Sequence, residues 1–162
     1  MAAVTPSQTI GPYFSLGLLD RPSNVLVPEA IRITGRVLDG AGEPVPDAIV
    51  ELWQADDDGR YRPDFGWGRS GCDADGRYSF VTSKPGSVDR HAPHVTLLVF
   101  ARGLLKPVLT RMYFPDEDEA NAADPVLSGV DQPETLVARP VADGLEFDIR
   151  LQGDGETVFF VV

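Results

Sequence analysis

Residues Ile31-Arg-Ile-Thr-Gly-Arg-Val-Leu38 alternate apolar and polar side chains. A period of two residues is typical of a β-strand that buries one face. The following segment, Asp39-Gly-Ala-Gly-Glu-Pro-Val-Pro-Asp47, is dense in turn-forming residues. Ala48-Ile-Val-Glu-Leu-Trp53 then predicts a second strand. This strand–turn–strand unit indicates a protein built from short antiparallel strands.

The remainder of the chain repeats this pattern of short strands separated by Gly, Pro and Asp turns. One segment, from Asp116 to about Ala123, predicts a helix instead, because carboxylates fill its first turn and Pro125 follows it. The sequence therefore predicts an all-β fold, a β-sandwich of about eight or more strands with one short helix. The further predicted strands are Arg77–Thr82, His94–Ala101, Val108–Phe114, Glu134–Arg139, Glu146–Leu151 and Glu156–Val161.

Residues 1–30 differ in character from the rest. The segment Thr5-Pro-Ser-Gln-Thr-Ile-Gly-Pro-Tyr13 contains two prolines and a glycine and has no sustained helical or strand period. It predicts an extended N-terminal arm, part of the same domain as a sandwich that spans residues 31–162. We expect this arm to dock on a surface, because it carries several large apolar side chains: Tyr13, Phe14, Leu16, Leu18 and Leu19.

Composition narrows the classes of partner. The chain has 162 residues, enough for one domain, and a formal net charge of −11. This charge argues against a nucleic-acid partner, which needs clustered Lys and Arg. No apolar stretch approaches the roughly 20 residues of a membrane helix, so we expect no membrane partner. The first cation is Arg21 and Cys72 is the only cysteine, so we expect no secretion signal and a cytoplasmic location.

Four short motifs follow one another in a recognisable order. They are Glu51-Leu-Trp-Gln-Ala55, Gly59-Arg-Tyr61, Lys84-Pro-Gly86 and Ala92-Pro-His94-Val-Thr96. Together they resemble the intradiol ring-cleavage dioxygenases, which hold a non-haem ferric ion with two tyrosinates and two histidines. The resemblance implies the β-sandwich fold of that family.

The ligand set of that family is incomplete in this chain. Its catalytic members carry a His-x-His pair, which a strand directs to one side, but here the second histidine is replaced by Thr96. The segment after Lys84-Pro-Gly86, where a ligand tyrosine is expected, contains no tyrosine. Tyr61 and His94 remain at former ligand positions, and we interpret them as structural residues. His91 is expected to face away from His94, because residues three apart point to opposite sides of a strand, and it is also expected in the turn region before Pro93.

Longer motifs narrow the resemblance to the α subunits of the protocatechuate 3,4-dioxygenases. In these enzymes an iron-free α chain pairs with a homologous β chain that binds Fe(III). The resemblance implies an (αβ)n hetero-oligomer whose substrates are protocatechuate and O2 and whose product is 3-carboxy-cis,cis-muconate. It implies no catalytic residue and no metal site in this chain. The motifs are Thr5–Tyr13, Phe100-Ala-Arg-Gly103, Leu109-Thr-Arg-Met-Tyr-Phe114 and Gln152-Gly-Asp-Gly-Glu-Thr-Val-Phe159.

The same resemblance implies which residues contact the substrate. Four arm residues are expected to line the pocket near the partner's iron: Thr9, Gly11, Pro12 and Tyr13. Arg111 is expected mid-strand, on the same face as Leu109 and Tyr113. A cation among apolar neighbours needs water or an anionic partner, so Arg111 either binds the substrate carboxylate or forms an interface ion pair. Arg102, in Phe-Ala-Arg-Gly103, is expected in a turn or at an interface.

Two other interpretations stay open at this point. The segment Gly35–Asp47 is also typical of transthyretin-like sandwich domains that bind ligands without catalysis, which would make this chain a stand-alone binding module. A self-sufficient iron dioxygenase that uses His91 as a ligand is the other alternative.

Overall fold

The computed structural model describes residues 4–21 and 23–161. Residues 1–3 and Pro22 of the predicted arm, and Val162 of the predicted sandwich, lie outside the described residues. Within those ranges the chain forms nine strands, one α-helix and three short 3-10 helices. The strands and the helix are β1 (Ile31–Leu38), β2 (Ile49–Trp53), β3 (Trp67–Gly71), β4 (Arg77–Thr82), β5 (His94–Phe100), β6 (Val108–Tyr113), α1 (Asp118–Ala123), β7 (Arg139–Val141), β8 (Gly144–Glu146) and β9 (Ile149–Arg150).

The first sheet is organised around β1. On one side β1 pairs antiparallel with β4, which places Ile33 opposite Phe80. On the other side it pairs in parallel with β8 and then β9, and β7 completes the sheet beyond β8. Between β8 and β9 the ladder is interrupted, and Asp148 Oδ1 accepts the backbone N–H of Arg36 at 2.8 Å. A side chain thus replaces a backbone acceptor at this break.

The second sheet has the strand order β3-β2-β5-β6, and all of its pairings are antiparallel. One face of this sheet packs against the first sheet and forms the main core. The opposite face is called the outer face below. The core residues contributed by the second sheet include Val50, Leu52, Val95, Leu97, Val99 and Met112, and the first sheet contributes Ile33, Val37, Tyr78 and Phe80.

These two sheets confirm the predicted sandwich. The predicted strands Ile31–Leu38 and Arg77–Thr82 have the same bounds in the structure. The predicted helix begins two residues later than expected, at Asp118. Among the described residues, no helix has the length and apolar character that crossing a membrane requires.

One strand after β2 was not predicted, and two strands predicted in the last third of the chain were wrong. Strand β3 was missed, because Gly68 and Gly71 give it a weak strand signal while its backbone pairs with β2. The strand predicted at Glu134–Arg139 is instead a 3-10 helix, Pro133–Leu136, and a strand begins only at Arg139. The strand predicted at Glu156–Val161 is reduced to an isolated bridge between Leu109 and Phe160.

The N-terminal arm is fixed at one point in its extended part. Ile10 donates its N–H to the carbonyl of Leu104 at 2.9 Å and accepts the N–H of Gly103 at 3.3 Å. The arm then forms a 3-10 helix, Phe14–Gly17, beyond which the Leu19 side chain packs over Gly71. The surface on which the arm docks is therefore partly this chain's own sandwich.

Candidate functional site

A single row of residues crosses the outer face of the second sheet. Trp67 pairs with Trp53, Trp53 with Thr96, and Thr96 with Arg111. The row faces outward because Val95, Leu97 and Met112, which alternate with its members, lie in the core. Trp53 and Trp67 are 45% and 38% exposed, and their rings meet edge to face with centroids 6.2 Å apart. The next row places Glu51 beside Arg69, whose Nε donates to Glu51 Oε1 at 2.9 Å.

His94 begins β5 next to this row and is buried. Its Nδ1 lies 2.7 Å from the carbonyl oxygen of Ala92, so Nδ1–H donates to that carbonyl and Nε2 carries the lone pair. Burial lowers the pKa of His94 to about 4, despite this hydrogen bond. His94 is therefore neutral at physiological pH and held by a backbone partner.

The other retained ligand residue does not form a metal site with His94. Tyr61 is 57% exposed and lies in the loop between β2 and β3. Thr96 places a neutral hydroxyl at the position where the resemblance implies the second histidine of a His-x-His pair. In the described part of the chain no group of three or more His, Cys, Asp or Glu side chains is arranged to hold a metal. A phenol in a loop, one imidazole and one hydroxyl do not fit a ferric ion held by two tyrosinates and two histidines, the donor set that the resemblance implies.

His91 lies closer to His94 than the sequence predicted. The centroids of the two rings are 6.0 Å apart. The turn expected before Pro93 is present, because Val88 and His91 are joined by reciprocal backbone hydrogen bonds of 3.2 and 2.8 Å. Asp89 within this turn has a φ of 52°. Strand periodicity therefore does not apply before His94, and the expectation that His91 faces away was wrong.

Asp124 is a buried carboxylate that sequence reasoning missed. Its Oδ1 accepts the N–H groups of Val126 and Leu127 at 2.8 Å each, and its Oδ2 accepts the N–H of Ala92 at 2.9 Å. Burial alone would raise the pKa of Asp124, but these N–H donors and the Tyr113 hydroxyl outweigh it and keep the pKa below its usual value. Asp124 caps the turn that follows it. The sequence signal that could have predicted this cap is an Asp placed directly after the predicted helix and before Pro125.

Tyr113 links Asp124 to the outer face. It is fully buried at the end of β6, opposite His94, and its hydroxyl donates to Asp124 Oδ1 at 3.2 Å. Burial raises the pKa of Tyr113 to about 12, although the neighbouring Arg111 opposes that shift. The phenol therefore keeps its proton.

Arg111 lies where the sequence predicted, mid-strand in β6 and partly exposed. Its Nη1 donates to the Tyr113 hydroxyl oxygen at 3.3 Å and lies 3.5 Å from His91 Nδ1. The guanidinium carbon is 6.0 Å from the centroid of the Phe160 ring. Across residues 4–21 and 23–161, Arg111 forms no ion pair with a carboxylate; its described contacts are with the Tyr113 hydroxyl, His91 Nδ1 and the Phe160 ring.

The four predicted arm residues, Thr9, Gly11, Pro12 and Tyr13, are all exposed. Tyr13 has 78% of its surface accessible. Within the described ranges no hydrogen bond or ion pair joins them to Arg111.

Arg102 lies in the turn after β5, as predicted. Its Nε is 2.8 Å from Asp47 Oδ2, an ion pair between this turn and the segment that leads into β2. The same turn contains Gly103 and Leu104, whose backbone groups form hydrogen bonds with Ile10. Arg102 therefore supports the loop that fixes the arm.

Comparison with known proteins identifies the fold family. A family model described as Dioxygenase matches residues 18–153. The chain belongs to the intradiol ring-cleavage dioxygenase family. Members of this family are in general non-haem iron enzymes.

The relatives include both chain types of one enzyme. The chain is 41% identical to the protocatechuate 3,4-dioxygenase alpha chain of Pseudomonas putida, over 96% of this chain and 95% of that relative. It is 37% identical to the beta chain of Burkholderia cepacia, over 80% of this chain and 67% of the relative. The dioxygenase domain of a carbohydrate-binding fusion protein from Streptomyces sp. SirexAA-E superposes with a TM-score of 0.67 at 28% identity, covering 92% and 98% of the two chains. These matches confirm the family expected from the motifs.

The lowered pKa of His94 predicts a pH dependence of stability. Between pH 6.5 and 4 the unfolded chain binds a proton at His94 and the folded chain does not. The free energy of unfolding should therefore fall by up to about 3 kcal/mol as pH decreases through this window. His94→Asn, which keeps an amide donor for Ala92, should lose that part of the dependence.

Urea unfolding of both proteins at several pH values measures the effect, because groups that do not interact with His94 contribute equally to both proteins. Equal pH slopes for the two proteins would show that His94 is not the cause.

Proposed function

We propose that this chain is the α-type subunit of a protocatechuate 3,4-dioxygenase. With a homologous β chain it would form the site that cleaves protocatechuate with O2 to 3-carboxy-cis,cis-muconate. The observation that carries the proposal is a dioxygenase fold whose ligand set has lost its second histidine at Thr96 and one of its tyrosines. A chain with this deficit needs a partner that supplies the metal.

The charge on the outer face supports an iron site on the partner rather than here. Arg111 Nη1 lies 3.5 Å from His91 Nδ1, and Arg111 pairs across the strands with Thr96. A fixed positive charge at this distance opposes the binding of a trivalent cation by His91 and His94. This argues against a self-sufficient site that uses His91, and we assign no step of the reaction to a metal held by this chain. When bound by the partner, ferric iron would supply the activation of the catechol.

Exposed aromatic residues support a protein partner in an (αβ)n assembly. Trp53 and Trp67 form an exposed pair on the outer face, and Tyr13 and Leu16 of the arm are 78% and 77% exposed. Tryptophan and tyrosine are enriched among the residues that dominate protein–protein binding. The similarity of this chain to a beta chain supports a partner that is another sandwich of this family.

The arm and Arg111 are proposed to act on the substrate. Thr9, Gly11, Pro12 and Tyr13 are exposed while the nearby Ile10 is fixed to the sandwich. This arrangement presents the segment to a partner, where it would cover the pocket and exclude water. Arg111 has no carboxylate partner among the described residues, so its guanidinium is available for the carboxylate of an aromatic acid. Both roles orient the substrate rather than transform it.

A non-catalytic transthyretin-like module is disfavoured by the extent of the similarity. The dioxygenase family model covers residues 18–153, far beyond the segment 35–47 that suggested the alternative. We expect such a module to be found without a sandwich partner.

Arg111→Ala in the complex with the β chain should raise the KM for protocatechuate. Loss of a hydrogen-bonded ion pair with the substrate corresponds to about 1.5–3 kcal/mol in kcat/KM. Steady-state kinetics with protocatechuate and with catechol, which lacks the carboxylate, measure the effect. Arg32→Ala, at an exposed position of β1, is the matched control and should leave both substrates unaffected. Equal losses with protocatechuate and catechol would show that Arg111 is structural.

Deletion of residues 1–13 tests the arm. The sandwich should stay folded, because in the described part of the arm the backbone contacts of the deleted segment to the sandwich are those of Ile10. The complex should lose activity, since the pocket would be left open to water. Circular dichroism and steady-state kinetics on the purified complex measure the two effects. Unchanged kcat and KM would exclude a role for the arm.

A further inference from the structure

A buried anion lies behind Arg111 and is connected to it by one side chain. The carboxylate of Asp124 is fully buried, and the Tyr113 hydroxyl lies between it and the guanidinium. The distances are 3.2 Å from the hydroxyl to Asp124 Oδ1 and 3.3 Å from Arg111 Nη1 to the hydroxyl. The three residues therefore form a line from the loop after α1 to the outer face.

The direction of both hydrogen bonds in this line is fixed by chemistry. An ionised carboxylate only accepts hydrogen bonds, and a guanidinium only donates them. The single proton of the Tyr113 hydroxyl must therefore point to Asp124, and its oxygen accepts from Arg111. Burial, which raises the pKa of Tyr113 to about 12, keeps that proton in place. Three backbone N–H donors hold the Asp124 carboxylate, so the line starts from a fixed anchor.

His91 cannot replace Tyr113 in this role. Its Nδ1 lies 3.4 Å from Asp124 Oδ2 and 3.5 Å from Arg111 Nη1. With a proton this nitrogen can donate to Asp124, and without one it can accept from Arg111, but it cannot do both. The hydroxyl of Tyr113 does both at once and at shorter distances. Tyr113 is thus the group that connects Arg111 to Asp124 in either state of His91.

We propose that Tyr113, anchored by Asp124, is a positioning residue that orients Arg111 toward the substrate carboxylate. This inference rests on the proposed function of Arg111. Nη1 faces the Tyr113 hydroxyl and His91, which leaves the three N–H donors of Nε and Nη2 for a carboxylate. Asp124 places negative charge near the guanidinium without contacting it, so Arg111 is oriented but not neutralised by an ion pair. A direct ion pair would occupy the donors that the substrate needs.

Tyr113→Phe in the complex with the β chain tests the proposal. It removes one oxygen atom and preserves the ring that packs against His94, whose centroid is 5.5 Å away. We expect the KM for protocatechuate to rise about three- to tenfold, as for loss of one hydrogen bond that orients the arginine. The kcat should change by less than about twofold, and kinetics with catechol should not change.

A double-mutant cycle separates positioning from a general structural effect. Adding Tyr113→Phe to Arg111→Ala should cause no further rise in KM, because the residue to be oriented is gone. Asp124→Asn, which keeps an acceptor but loses the charge, should change KM in the same direction. If Tyr113→Phe affects protocatechuate and catechol equally, or adds fully to Arg111→Ala, the positioning role is contradicted.

The outcome also distinguishes this inference from the function on which it rests. A raised KM in Arg111→Ala together with an unchanged KM in Tyr113→Phe overturns the positioning role alone. An unchanged KM in Arg111→Ala overturns the substrate role of Arg111, and the positioning role with it.

Discussion

The inward packing of Val95, Leu97 and Val99 between the two sheets determines what the outer face presents. Because side chains alternate along a strand, this packing directs His94, Thr96 and Leu98 outward. The register with β6 then sets Arg111 beside Thr96 and Tyr113 beside His94. A shift of one residue would bury the cation and expose the core, so the hydrophobic pattern fixes the chemistry of the face.

On that face the neutral hydroxyl of Thr96 and the guanidinium of Arg111 lie near the buried imidazole of His94. The negative charge of Asp124 is held inside, by three backbone N–H groups and a phenol. This distribution suits the recognition of an anion from outside and opposes the binding of a metal cation. The surface thus keeps the architecture of a dioxygenase, and its electrostatics support the substrate-binding role proposed for Arg111.

The sequence predicted the parts of the structure that depend on local periodicity. β1 and β4 alternate buried and less buried positions over most of their length and were predicted to the residue, and the position of Arg111 followed from β6. β3 was missed because its glycines carry little strand preference and its pairing with β2 supplies the stability. The segment around Pro133 was predicted as a strand although it forms a 3-10 helix. The hydrogen-bonded line of Arg111, Tyr113 and Asp124 could not be predicted, because Asp124 reaches Tyr113 and Ala92 only in the folded chain.

The account depends most directly on the claim that this chain's donor set is too small for ferric iron. Elemental analysis of the purified chain, alone and with the β chain, tests that claim. We predict no tightly bound iron and no tyrosinate-to-iron absorption in the isolated chain, and both in the complex. One equivalent of tightly held iron in the isolated, folded chain would contradict the account.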